Sequence, residues 1–66
     1  MKNNLRVQRA IKNITQAELA ELISVSRQTI NTIESGKYVP STVLALKMAK
    51  VFGVPVEQIF NLEEED

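Results

Sequence analysis

The chain's strongest helix breakers, Gly36, Pro40, Gly53 and Pro55, all fall in its second half, so residues 5–35 contain neither glycine nor proline. No segment alternates apolar and polar residues with the period of a strand, and the chain reads as helical with its turns set by capping residues. Thr15-Gln16-Ala17-Glu18 has the form of a capping box: the Thr15 hydroxyl accepts from the third helical amide while Glu18 reaches back, so a helix starts at Gln16. Ser26 offers a second N-cap, and Gly36 is placed to end that helix in a left-handed turn, giving a helix from about Arg27 to Ser35. Ser41 caps a third run from Thr42 to Phe52, whose apolar Val43, Leu44, Leu46, Ala49 and Val51 recur at helical spacing until Gly53. Pro55 suits the first position of a short helix ending near Phe60. With an N-terminal helix from about Leu5 to Lys12, the expectation is an all-α chain of five helices.

Sixty-six residues allow one small domain, and with no cysteine and no histidine it has neither disulfides nor the usual ligands of structural zinc. Stability must come from packing an aliphatic core or from oligomerisation. The same inventory argues against serine, cysteine or metal hydrolase chemistry, and no Gly-rich phosphate loop is present. An enzyme is not expected, nor a metal or a cofactor. The net charge of zero hides an asymmetry: Glu63, Glu64, Glu65 and Asp66 close the chain, so residues 1–62 hold eight Lys or Arg against Glu18, Glu21, Glu34 and Glu57. A basic domain over 1–62 with an acidic tail over 63–66 points to a polyanionic partner, the tail itself reading equally well as a solvated end. No apolar run approaches the ~20 residues that span a bilayer and no signal peptide is visible, so no membrane association and a cytoplasmic location are expected.

Between Gln16 and Ser35, two short helices about three residues apart can cross steeply if their contacts are apolar and one crossing residue is small. Leu19, Ile23, Val25, Ile30 and Ile33 supply such a core, and Ala20 the small residue. The outward face of the second helix then reads Arg27, Gln28, Asn31, Thr32 and Ser35. Arginine can pair with guanine O6 and N7, Gln and Asn with adenine N6 and N7, and Thr can offer a methyl or hydroxyl. A polar helix face is also what simple solvation produces, so the face alone does not decide.

The segment TQAELAELISVSRQTINTIESGKYVPS resembles the helix-turn-helix of the lambda repressor and Cro (xenobiotic-response-element-like) family. The whole chain, from MKNNLR through LALKMAKVFGVPVEQIF, resembles its short stand-alone prokaryotic regulators of the cytolysin-repressor type. The resemblance implies a five-helix domain that binds double-stranded DNA as a homodimer, the second motif helix lying in the major groove. It implies base contacts from Arg27, Gln28, Asn31 and Thr32, and backbone contacts from Gln16, aided by the amides of its helix end, and from Lys37 and Tyr38. It also implies a partly buried ion pair between Arg9 and Glu34. For Tyr38, a ring packed over Pro40 with its hydroxyl in water is the alternative.

Two residues depart from the family pattern. Ser24 stands where the interhelix turn usually has glycine, so a residue with a Cβ should adopt positive φ at a cost of about 1 kcal/mol. Gln8 stands where a large aliphatic residue is usual, while Val7, Ala10 and Ile11 lie nearly opposite Leu5 and Arg9 on the first helix. The Arg9 pairing requires the Leu5 and Arg9 face inward, leaving Ile11 exposed or covered by a chain end. The functional expectation is a sequence-specific transcription regulator, a repressor acting on an inverted repeat, with a dimer contact drawn from Val54, Val56, Ile59, Phe60 and Leu62. The alternative is a protein-interaction module of the same fold, an antitoxin or adaptor. The operator, the regulated genes and any small-molecule effector are left open.

Overall fold

The computed structural model describes residues 1–66. In chain order it comprises strand β1 (Lys2–Asn3), helices α1 (Leu5–Lys12), α2 (Gln16–Leu22), α3 (Arg27–Glu34) and α4 (Thr42–Phe52), a 3-10 turn (Val56–Gln58) and strand β2 (Phe60–Asn61). The three capped helices begin where their side chains dictate. Thr15 accepts from the Glu18 amide at 3.0 Å while Glu18 Oε1 accepts from the Thr15 amide at 2.9 Å, completing the box. Ser26 Oγ accepts from the Thr29 amide at 3.1 Å, and Ser41 Oγ from the Leu44 amide at 3.2 Å.

Each α-helix is followed by a residue with left-handed backbone: Asn13 (φ 58°), Ser24 (φ 60°), Gly36 (φ 80°) and Gly53 (φ 66°). After α2, the Val25 amide reaches back to the Ala20 carbonyl and the Ser24 amide to that of Glu21, the paired bonds of a Schellman ending. Ser24 therefore occupies the strained position expected of it. Asn13 fills the same role after α1, and asparagine is the non-glycine residue best suited to it.

The core consists of Leu5, Leu19, Ala20, Ile23, Ile30, Ile33, Met48, Phe52, Ile59 and Phe60. Leu19 and Ala20 from α2 and Ile23, which caps its end, meet Ile30 and Ile33 from α3, with Val25 half-buried beside them. Leu5 is the sole fully buried residue of α1, and Ile11 is 72% exposed, so the register set by the Leu5 and Arg9 face holds.

The expected fifth helix is instead a single 3-10 turn, and the purely helical expectation gives way at the chain ends. Pro55 has extended backbone (ψ 149°) and precedes the turn rather than opening it. The turn stops after Gln58 because Ile59 enters the core and Phe60 pairs with Asn3, as Lys2 pairs with Asn61, in a two-stranded antiparallel ribbon. The Asn4 amide adds a bond of 2.7 Å to the Ile59 carbonyl. Asn3 also serves two helices: its Oδ1 accepts from the Leu5 amide at 3.1 Å, and its Nδ2 donates to the Ile33 carbonyl at 3.0 Å. The ribbon thereby braces the start of α1 and the end of α3. The acidic tail is exposed but not simply solvated, since the Met1 ammonium lies 3.0 Å from Glu63 Oε1 and 3.1 Å from Asp66 Oδ2. The hydrogen bonds to these carboxylates raise the ammonium pKa above its ordinary value. No helix is long and apolar enough to cross a membrane.

Candidate nucleic-acid interface

Helix α3 is held at both ends, by the Ser26 cap at its start and by the Asn3 bond to Ile33 near its end. Ile30 and Ile33 point into the core, which turns Arg27, Gln28 and Asn31 outward, and all three are exposed. They line a polar recess of about 290 Å³ with no apolar wall. Arg27 has no ion-pair partner in the chain, so its guanidinium is available to an acidic or carbonyl-rich surface.

Thr32 is half-buried and donates its hydroxyl proton to the Gln28 carbonyl at 2.7 Å. It therefore offers a partner its methyl group and a lone pair rather than a donor. Ser35 likewise spends its hydroxyl proton on the Thr32 carbonyl at 2.9 Å. Lys37 and Tyr38 follow α3 and are exposed. Tyr38 borders a notch of about 270 Å³ shared with Gln28, Thr29 and Thr32, so its ring stands alongside the outward face of α3. The sequence held no signal for that adjacency, which depends on the left-handed exit at Gly36.

Behind this face lies a polar cluster. Arg9 donates through Nε to Glu34 Oε2 and through a terminal nitrogen to Oε1 at 3.1 Å, while its other terminal nitrogen donates to the Ile14 carbonyl at 3.1 Å. The pair expected from the sequence is thus a two-pronged one, with the Glu34 side chain 2% exposed and that of Arg9 15%. Burial alone would push the Glu34 carboxyl up, but hydrogen bonds from Arg9 and Gln16, with the charges of Arg9 and Arg6, outweigh it and hold the pKa below its ordinary value. The bond to Glu34 likewise raises the Arg9 pKa.

Gln16, expected on a phosphate, has its donor turned inward. Its Nε2 lies 3.1 Å from Glu34 Oε1 and 3.4 Å from Asn31 Oδ1. Gln16 and Arg27 nonetheless both line the largest recess, about 440 Å³, with Arg9, Asn13 and Thr15. Of the residues expected at a dimer contact, Ile59 is fully buried in the monomer core, whereas Phe60, packed into the core, still borders the apolar recess that Val56 lines. Val54 and Val56 are half-buried, and Leu62 is exposed.

Two helices joined by the four-residue turn Ile23 to Ser26, with an apolar seam between them and a braced polar face on the second, define a helix-turn-helix protein of the DNA-binding class. The chain belongs to the lambda repressor/Cro-type helix-turn-helix family, whose domain model matches residues 5–59. That is a family of transcription regulators, not a class of enzymes. Among its relatives is an HTH-type transcriptional regulator of Methanocaldococcus jannaschii, 54% identical over 66 residues and covering all of both chains. The HTH-type transcriptional regulator YgzD of Bacillus subtilis is 47% identical, again over the full length of both. The HTH-type transcriptional activator BcrR of Enterococcus faecalis is 40% identical over 53 residues, matching 80% of this chain but 26% of its own length.

Proposed function

We propose that this regulator reads a specific DNA sequence with α3 and represses transcription by occupying an inverted-repeat operator as a homodimer. The observation that carries this reading is the outward face of α3, where Arg27, Gln28 and Asn31 are exposed on a helix fixed at both ends. Arg and amide side chains are the groups that pair with base edges in the major groove, and a braced helix presents them with little further ordering cost. Gln28 and Asn31 serve as readers, Arg27 as a reader of guanine, and Thr32 through its methyl group. Lys37 and Tyr38 contact the phosphate backbone.

Dimerisation follows from area, since one such module covers only about 600–1,000 Å² on DNA and two related by a dyad double the sequence read. With Ile59 in the core, the contact is drawn from half-buried Val54 and Val56, the edge of Phe60 and exposed Leu62, joined by exposed Val39, Val43 and Leu46. Val39, Leu46 and Val56 line one mainly apolar recess of about 270 Å³. These same residues are what favours the second reading, a protein-interaction module such as an antitoxin or adaptor whose partner sits on that face. Repression by occupancy needs no surface beyond the DNA-binding face and the dimer contact.

Selection of bound fragments from random duplex DNA tests the proposal. The expected product is an inverted repeat with half-site centres about 34 Å apart, protected on one face of the duplex in two major-groove segments. A single half-site bound as tightly as the full repeat contradicts the dimer, and failure to select any sequence contradicts specific reading.

A further inference from the structure

We propose that Gln16 is a positioning residue for base reading: together with Glu34 it fixes the side-chain amide of Asn31 so that the Asn31 NH₂ group faces DNA. The inference rests on the reading of α3 as the recognition helix and adds to it the hydrogen-bonding sense in which Asn31 reads.

The argument starts from the buried end of the cluster. The Glu34 carboxylate, paired with Arg9 through both oxygens, is ionised and can only accept hydrogen bonds. The Gln16 atom 3.1 Å from Glu34 Oε1 must therefore be its nitrogen. An amide nitrogen carries two protons, and the second is directed toward Asn31, where an acceptor is required. Asn31 Oδ1 meets that requirement at 3.4 Å. The Asn31 carbonyl is thereby turned toward Gln16 on α2 and its NH₂ away from that contact; Asn31 itself lines the outer recess with Arg27 and Gln28. The donor sense is handed outward, from an acid that cannot donate, through one amide, to a second amide on the DNA-facing surface.

A donor in the major groove recognises an acceptor: purine N7, guanine O6 or thymine O4. It disfavours cytosine, whose N4 amine is itself a donor. Asn31 should thus select against cytosine at one position of each half-site. Gln16 should set that choice without touching a base.

The test measures affinity for every single-base variant of the selected operator with the wild type, Gln16→Met, Asn31→Ala and the double variant, all confirmed as folded by circular dichroism. Gln16→Met keeps side-chain length and removes the donor. The expected result is that both single variants flatten preference at the same base pair, by about tenfold or less, and that the double is no worse than Asn31→Ala. A Gln16→Met that weakens all sequences alike identifies Gln16 as a phosphate contact and overturns the proposal, as do additive effects or an unchanged base profile. Asn31→Asp supplies an independent check that does not alter α2: an acceptor in place of the donor should shift preference toward cytosine, and no shift contradicts the proposal. If the wild type itself shows no base preference, the failure lies with the recognition-helix reading, not with the role of Gln16.

Discussion

Replacing Arg9 with Met should be among the costliest single changes in this chain, because of what it leaves behind. Glu34 would keep a side chain only 2% exposed but would lose both prongs of the guanidinium. Gln16 at 3.1 Å would remain, as would the exposed Arg6, 3.7 Å away. Removing one partner of a buried pair costs about 3–5 kcal/mol, and the two surviving partners place this case at the low end, about 3 kcal/mol. The Ile14 carbonyl also loses the Arg9 donor, although it lies close enough to solvent for water to replace it. A domain of this size is stable by about 3–10 kcal/mol, so much of the total is at stake, and the melting temperature should fall by about 12–24 °C. The pH dependence supplies a signature. In the wild type the Glu34 pKa is depressed, so the pair's contribution is present above the ordinary value of 4.5 and is lost as pH falls through the folded-state value. In Arg9→Met, burial is no longer outweighed and the Glu34 pKa rises above its unfolded value. The variant's deficit is then full at neutral pH and shrinks as pH falls through that raised value and protonation relieves the buried charge. The double variant Arg9→Met, Glu34→Leu should recover part of the loss. Thermal melts of wild type, single and double variants between pH 3.5 and 7.5 provide the assay. Coincident melts, or a deficit that does not narrow on acidification, would refute the reasoning.

Ser24→Gly should stabilise the fold by up to about 1 kcal/mol, read as a rise in the denaturation midpoint, because φ of 60° carries a Cβ penalty that glycine avoids. DNA preference should not change. Ile11→Lys, at a site 72% exposed, should leave stability within about 0.5 kcal/mol; a larger loss in a urea melt would mean that Ile11 is covered. Leu46→Glu, on the exposed apolar face, should leave the monomer folded but shift the sedimentation profile toward monomer and weaken binding to the full inverted repeat.

The helix-turn-helix was legible in the sequence because each of its boundaries is enforced by a local interaction. Thr15 with Glu18, Ser26 with the Thr29 amide, and the left-handed positions at Ser24 and Gly36 all act within a few residues of themselves. The chain ends were not legible for the converse reason. Lys2 and Asn3 meet Asn61 and Phe60 from the far end of the chain, and two residues are too few to display an alternating pattern. Pro55 looked like a helix start, yet tertiary demand decided the outcome: with Ile59 drawn into the core and Phe60 into the ribbon, there is room for one turn only. That same demand takes Ile59 out of the surface the sequence suggested for a dimer and leaves only the edge of Phe60 there. At the interface, exposure of Arg27, Gln28 and Asn31 followed from the periodicity of Ile30 and Ile33. The inward turn of the Gln16 donor could not be read, since it depends on where α2 meets Glu34 at the end of α3, whereas the Thr32 bond to the Gln28 carbonyl is a local back-bond that threonine commonly makes in a helix.

The central claim, that α3 reads bases while the loop after it holds the backbone, is tested most directly by salt titrations of Gln28→Ala and Lys37→Ala on selected operator and on scrambled DNA. Gln28→Ala should cost about 1–3 kcal/mol on the operator, relax preference at one base pair per half-site and leave scrambled DNA nearly unaffected. Lys37→Ala should weaken both DNAs alike and flatten the slope of log affinity against log salt by about 1 per lost contact, about 2 per dimer. A folded Gln28→Ala with base preference intact would contradict its role as a reader, and DNA binding unchanged in both variants would give precedence to a protein partner.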